Sequence, residues 1–147
     1  MRDFATIFDN KILIGAVLAW LIAQTLKVLI NLALHRTLDI GFLFSSGGFP
    51  SSHSATVSAL AIGVGKTSGW DSPLFAIAVV LAMVVMYDAA GVRRAAGKQA
   101  EVINQIVEGL YHQLTHLSQE RLKELIGHNP IEVGAGMILG IIVGFLV

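Results

Sequence analysis

The chain has 147 residues, ten basic against ten acidic side chains for a formal net charge of zero, 54% hydrophobic residues and only 14% charged ones. Soluble domains carry about a quarter charged residues, so this composition, with a mean hydropathy of +0.72, points to a membrane and gives no footing for a nucleic-acid partner. There is no cysteine, which excludes disulfides, thiolate chemistry and cysteine-based metal sites.

The first apolar run, Ile12–Leu34, exceeds the roughly 20 helical residues that cross a hydrocarbon core. It is longer than a signal-peptide core and no small-residue cleavage site follows it, so it is expected to be a retained span. After it, Ile40–Phe44 is expected to dip into the bilayer as a re-entrant loop. The next candidate, His53–Lys66, would reach only about 21 Å as a helix, short for a full crossing. Pro73–Ala90 and Pro130–Val147 lie near the lower length limit for a span. Between them, Ile103, Ile106, Val107, Leu110, Leu114 and Leu117 recur every three or four positions. That spacing predicts an amphipathic helix over about 95–126, lying on the membrane surface or against the bundle, or serving as a dimerisation helix. The expected fold class is therefore all-α: one membrane domain over 1–147, with about four spans and one amphipathic helix between the third and fourth.

Small residues repeat every four positions in two of these segments, at Ala55, Ala59 and Gly63 and at Gly136, Gly140 and Gly144. Such stripes let membrane helices approach closely, either within the bundle or between two copies of the chain as a homodimer. With four crossings, Arg36, Arg93, Arg94, Lys98, Arg121 and Lys123 share one side, against Arg2, Lys11 and Lys66 on the other. The positive-inside rule then places the basic side in the cytoplasm of a cell membrane and both termini outside.

Polar residues with chemical capacity collect on that basic side. Gln24, Lys27 and Asn31 share one face of the first span. A lysine there either snorkels to the interface or faces the bundle interior for a function. In Gly47-Gly48-Phe49-Pro50-Ser51-Ser52-His53-Ser54, two glycines allow close backbone approach to a ligand. The Pro-Ser-Ser run prepares a helix start whose amides suit an anion, and His53 adds a near-neutral proton donor. Arg93 and Arg94 either grip phosphate or fix topology beside anionic lipid. Asp88 either pairs with an arginine or marks a metal site. Glu132, one turn beyond His128, either orients that imidazole or caps the helix that Asn129 and Pro130 begin. Positive donors with two histidines suit phosphoryl transfer.

These residues carry a resemblance that runs over nearly the whole chain, through GGFPSSHSA, VMYDAAGVRRAAGKQA, LKELIGHNPIEV and the Gln24/Lys27 region. The chain resembles the divergent branch of the type-2 phosphatidic acid phosphatases, the acid phosphatase/vanadium-dependent haloperoxidase-related membrane proteins. Lys27 is similar to the lysine of that family's first motif, and Pro50-Ser51-Ser52-His53 to its second, with Ser52 where glycine is usual. Arg93 or Arg94, His128 and Glu132 resemble the arginine, histidine and carboxylate of the third. The sequence departs from the pattern in three further ways. No Arg-Pro follows Lys27, more than thirty residues separate the arginine from the histidine, and the carboxylate is Glu rather than Asp.

The resemblance implies a lipid-phosphate phosphatase acting on a substrate such as phosphatidic acid or phosphatidylglycerophosphate. His128 would be the nucleophile, Glu132 its partner and His53 the acid. Lys27, Ser51, Ser52, Arg93 and Arg94 would hold the phosphate, with no metal or other cofactor required. The alternative is a non-catalytic membrane protein that binds anionic lipid or a protein partner. A transporter is a third reading, for which four short spans leave little room.

Overall fold

The computed structural model describes residues 4–36, 47–111 and 128–147, without the side chains of residues 4, 5, 35, 92–94 and 108–111. The expected re-entrant stretch Ile40–Phe44 lies outside the described residues, as does the second half of the expected amphipathic helix. Among the described residues, a short 3-10 turn, Phe4–Asp9, is followed by five α-helices: α1 Lys11–His35, α2 Ser52–Ser68, α3 Pro73–Ala90, α4 Val92–Tyr111 and α5 Pro130–Leu146. The fold is an all-α membrane bundle.

α1, α2, α3 and α5 begin where the sequence supplies a cap. The Asn10 side chain accepts the amide of Leu13 at 3.1 Å, and Ser72 accepts that of Phe75 at 3.1 Å with Pro73 in the first turn. Such side chains satisfy amides that have no partner inside the helix. α2 is longer at both ends than the expected His53–Lys66. It starts at Ser52 on the Ser51 cap and ends against Gly69, whose φ of 95° an L side chain rarely adopts. At about 1.5 Å per residue it reaches roughly 25 Å.

α2 occupies the centre, packed against α1, α3 and α5. The shared core is made of small residues, Ala19 and Ala23 of α1, Ala55 and Ala59 of α2 and Val143 of α5, with Leu139 and Val147 against them. α5 runs alongside α2 in the same direction. A Cβ at Gly136 would run into the carbonyl oxygen of Ser51, and one at Gly140 into that of Ala55. The glycine stripe of α5 is thus spent inside the bundle, where close packing holds membrane helices together. At the far end of this pair, Lys66 donates to the carbonyls of Gly144 at 3.3 Å and Phe145 at 3.0 Å. There it satisfies acceptors left open by the end of α5.

α1 and α3 run antiparallel to α2, so one end of the bundle gathers the C-terminal parts of α1 and α3 and the starts of α2 and α5. Two backbone bonds stitch that end together: the Ser51 amide to the Glu132 carbonyl at 2.9 Å, and the His128 amide to the Ala89 carbonyl at 3.0 Å. α4 follows α3 after Gly91 alone and presents Val102, Ile103 and Ile106 on its surface. Lys11–Leu34 and Pro73–Val107 are long and apolar enough to cross a membrane, and Pro130–Leu146 is a shorter apolar helix.

Candidate functional site

The stitched end brings together residues that lie far apart in the chain. His128 precedes α5 by two positions and is fully buried, at 0% exposure. Its Nδ1 lies 3.0 Å from Glu132 Oε2. The same Oε2 accepts the Asn129 amide at 3.1 Å, so the two readings of Glu132 are both realised, on one oxygen. With Nδ1 facing a carboxylate, the ring orientation is fixed and Nε2 is the nitrogen turned to other work.

His53, in the first turn of α2, meets His128 edge to face with ring centroids 5.9 Å apart. This contact is possible because Gly136 lets α2 and α5 approach at that level. It brings two histidines 75 positions apart to one place, on the same side of the bundle.

Lys27 approaches from α1. It is 2% exposed, and its Nζ donates to Ser52 Oγ at 3.3 Å. A snorkelling lysine would turn its head to the interface; this one turns inward, with Gln24 buried beside it and Asn31 half-buried a turn further on. An ammonium within a bundle is costly unless polar groups receive it. Ser52 does so, and the Glu132 carboxylate is close enough to act on its charge.

The serine loop divides its work. Ser51 is buried; its hydroxyl accepts from the Ser54 amide at 3.3 Å and from the Ser54 hydroxyl at 3.1 Å, while its amide is committed to Glu132. An amide buried at a helix start must find a partner, and Ser51 has found one in the fold. Of the Ser51–Ser52 pair expected to hold phosphate, Ser52 is therefore the one left beside the lysine. Gly48, read from the sequence as room for a ligand, has φ of 97° and sets its backbone against the stem of Lys27.

Arg93 and Arg94 stand in the first turn of α4, two and three residues past the Gly91 that ends α3; only their backbone is described. Asp88 is half-buried in the last turn of α3. Among the described residues there is no group of three or more His, Asp or Glu side chains placed to hold a metal ion.

Sequence reasoning missed the Ser54 hydroxyl and the two backbone stitches. The serine spacing carried a signal for the first, since a cap hydroxyl and the residue three positions on are neighbours at every helix start. The stitches join positions on different helices and left no local mark.

A buried lysine, a histidine held by a carboxylate and a second histidine thus meet at one end of a helical membrane bundle. The chain belongs to the divergent PAP2 family, whose pattern it matches over residues 8–143. It is 42% identical, over 146 residues and 92% of each chain, to the uncharacterized membrane protein YuiD of Bacillus subtilis (strain 168). No solved structure matches it.

Proposed function

We propose that the protein is a metal-independent lipid-phosphate phosphatase. The observation that carries this reading is the pairing of His128 with Glu132 at 3.0 Å, with the His53 ring 5.9 Å away. In the reaction, His128 Nε2 attacks phosphorus while the bond from phosphorus to the lipid oxygen breaks. His53 gives its proton to the leaving alkoxide. Glu132 keeps the imidazole turned and balances the positive charge it acquires. Water then attacks the phosphohistidine, giving its proton back to His53, and inorganic phosphate leaves. Lys27 and Ser52, with one or both of Arg93 and Arg94, stabilise the negative oxygens of the transferring group.

In-line transfer needs a nucleophile about 3–3.5 Å from phosphorus and an acid within hydrogen-bond reach of the departing oxygen. Two rings in edge contact are closer together than that, so substrate entry swings His53 away from His128.

A site between helix ends at the membrane boundary suits a phosphate headgroup on a lipid tail. The chain forms one membrane unit in which α1, α2, α3 and α5 cross, with the site on the cytoplasmic side and both termini outside. Phosphatidic acid and phosphatidylglycerophosphate are the preferred substrates by that orientation.

The test is phosphate release by purified protein from a panel of lipid phosphates. We expect His128→Ala to abolish turnover and His53→Ala to reduce it by about 10²–10⁴-fold. A [³²P]phosphate label should be trapped on wild-type protein and on His53→Ala, but not on His128→Ala. Equal release by wild type and both variants would sink the proposal in favour of a lipid-binding protein without turnover.

A further inference from the structure

The end of the bundle far from His128 holds a second polar feature that the proposed reaction does not use. A cavity of about 260 Å³ opens there between α1, α2 and α5. Lys11 of α1 and Lys66 of α2 stand at it, and Ile12, Gly15, Gly63 and the Val147 side chain form apolar wall; no lining side chain is acidic, and the backbone carboxylate of Val147 forms no ion pair with either lysine. The nearest acids in sequence, Asp9 and Asp71, are exposed and are not part of the lining.

Lys66 spends two of its three donors on the α5 carbonyls. Lys11 makes no hydrogen bond or ion pair with any described residue and stays exposed. Two ammonium groups across one crevice repel each other, more strongly as the surroundings become less polar. An anion between them removes that cost.

The surroundings indicate what kind of anion. Trp70, Phe145 and Phe8 are exposed at this end, and the Trp70 ring lies 5.2 Å from that of Phe75 and 6.2 Å from that of Phe145. Aromatic residues of this kind collect at headgroup level. The volume falls just below the roughly 300–1,000 Å³ of drug-sized pockets, room for a headgroup and the start of one chain. We propose that this cavity binds the phosphate of an anionic phospholipid, in the leaflet opposite the one that His128 serves. Lys11 and Lys66 hold the phosphate, and the first carbons of an acyl chain lie along Ile12, Gly15 and Gly63. The site does not depend on phosphatase activity.

Trp70 provides a local reporter. The two tryptophans are Trp20 and Trp70, so a Trp20→Phe protein reads the far end alone, about 25 Å from His53 along α2. In neutral detergent it is titrated with dioctanoyl phosphatidylglycerol, dioctanoyl phosphatidylcholine and inorganic phosphate. We expect saturable quenching by phosphatidylglycerol, at an affinity about 10-fold above that for phosphatidylcholine or free phosphate. Lys11→Gln should weaken it about 10-fold, and Lys11→Glu should remove it. Lys11 is the residue to change, because Lys66→Gln would also uncap α5; thermal melts of the Lys11 variants confirm that they stay folded. A His128→Ala protein should bind as the Trp20→Phe parent does. Equal responses to the two lipids, unchanged affinity in both Lys11 variants, a response to phosphate as strong as to lipid, or loss of the response in His128→Ala would each overturn the proposal.

Discussion

α2 and α3 are neighbours in the chain, joined by Gly69–Ser72, yet they solve opposite problems. α3 is composed almost entirely of apolar residues and buries only Ala78, Ala82 and Ala89; Leu74, Ile77, Val80, Met83 and Val84 are exposed. α2 is rich in Ser, Ala and Gly and buries Ser52, Ser54, Ala55, Val57, Ser58, Ala59, Ala61 and Gly65. In water the more apolar helix would take the centre. In a bilayer the surrounding solvent is itself apolar, so greasy side chains gain nothing from moving inward, and small and polar ones gain close packing and hydrogen bonds. The helix that hydropathy ranks weakest as a span is therefore the one that α1, α3 and α5 surround.

That contrast can be broken from either side. The largest effect is expected for Gly140→Val, which drives a side chain into the Ala55 carbonyl between α2 and α5. We expect a loss of about 3 kcal/mol or more, seen as failure to recover monodisperse protein in detergent; a normal thermal melt would show that α2 is not held as described. Next is Val84→Asp on the exposed face of α3, which should oppose insertion by about 2.5 kcal/mol near the middle of a span. Its measure is the glycosylated fraction in a translocation assay, and unimpaired insertion would mean that this face does not meet lipid.

A smaller change, of the opposite sign, is expected at Lys27→Met. It removes a buried ammonium and leaves Ser52 able to rotate to another partner, so thermal stability should hold or rise by up to about 1 kcal/mol. Phosphate release should meanwhile fall by about 10²-fold; retained release would remove Lys27 from the proposed site. The smallest effect belongs to Val84→Leu, within about 0.5 kcal/mol of wild type by the same melt.

Much of this arrangement was legible in the sequence where it rests on local spacing. Pro73–Ala90 begins and ends as read, because Ser72, Pro73 and Gly91 punctuate it. The His128–Glu132 contact follows from a separation of four at a helix start, and the inward face of Lys27 from its company of Gln24 and Asn31. α2 was underread by the terminal Ser52, Thr67 and Ser68, which add little hydropathy but are helical all the same. The meeting of His53 with His128, and of Lys27 with Ser52, depends on how helices cross, and no local pattern records that. The glycines of α5 favoured the bundle over a dimer from their spacing, and left the choice to be made by their neighbours. For Arg93 and Arg94 the sequence supplied residue type and place, and the structure adds only the backbone position.

The single oxygen of Glu132 that receives both the Asn129 amide and His128 Nδ1 has a consequence for heredity as well as for chemistry. Selection acting on the start of α5 and selection acting on the histidine press on the same atom. Glu132→Gln keeps an oxygen for the amide and withdraws the charge from the imidazole, whereas Glu132→Ala withdraws both. The spread between those two variants would measure how tightly folding and reactivity have been made to share one fate.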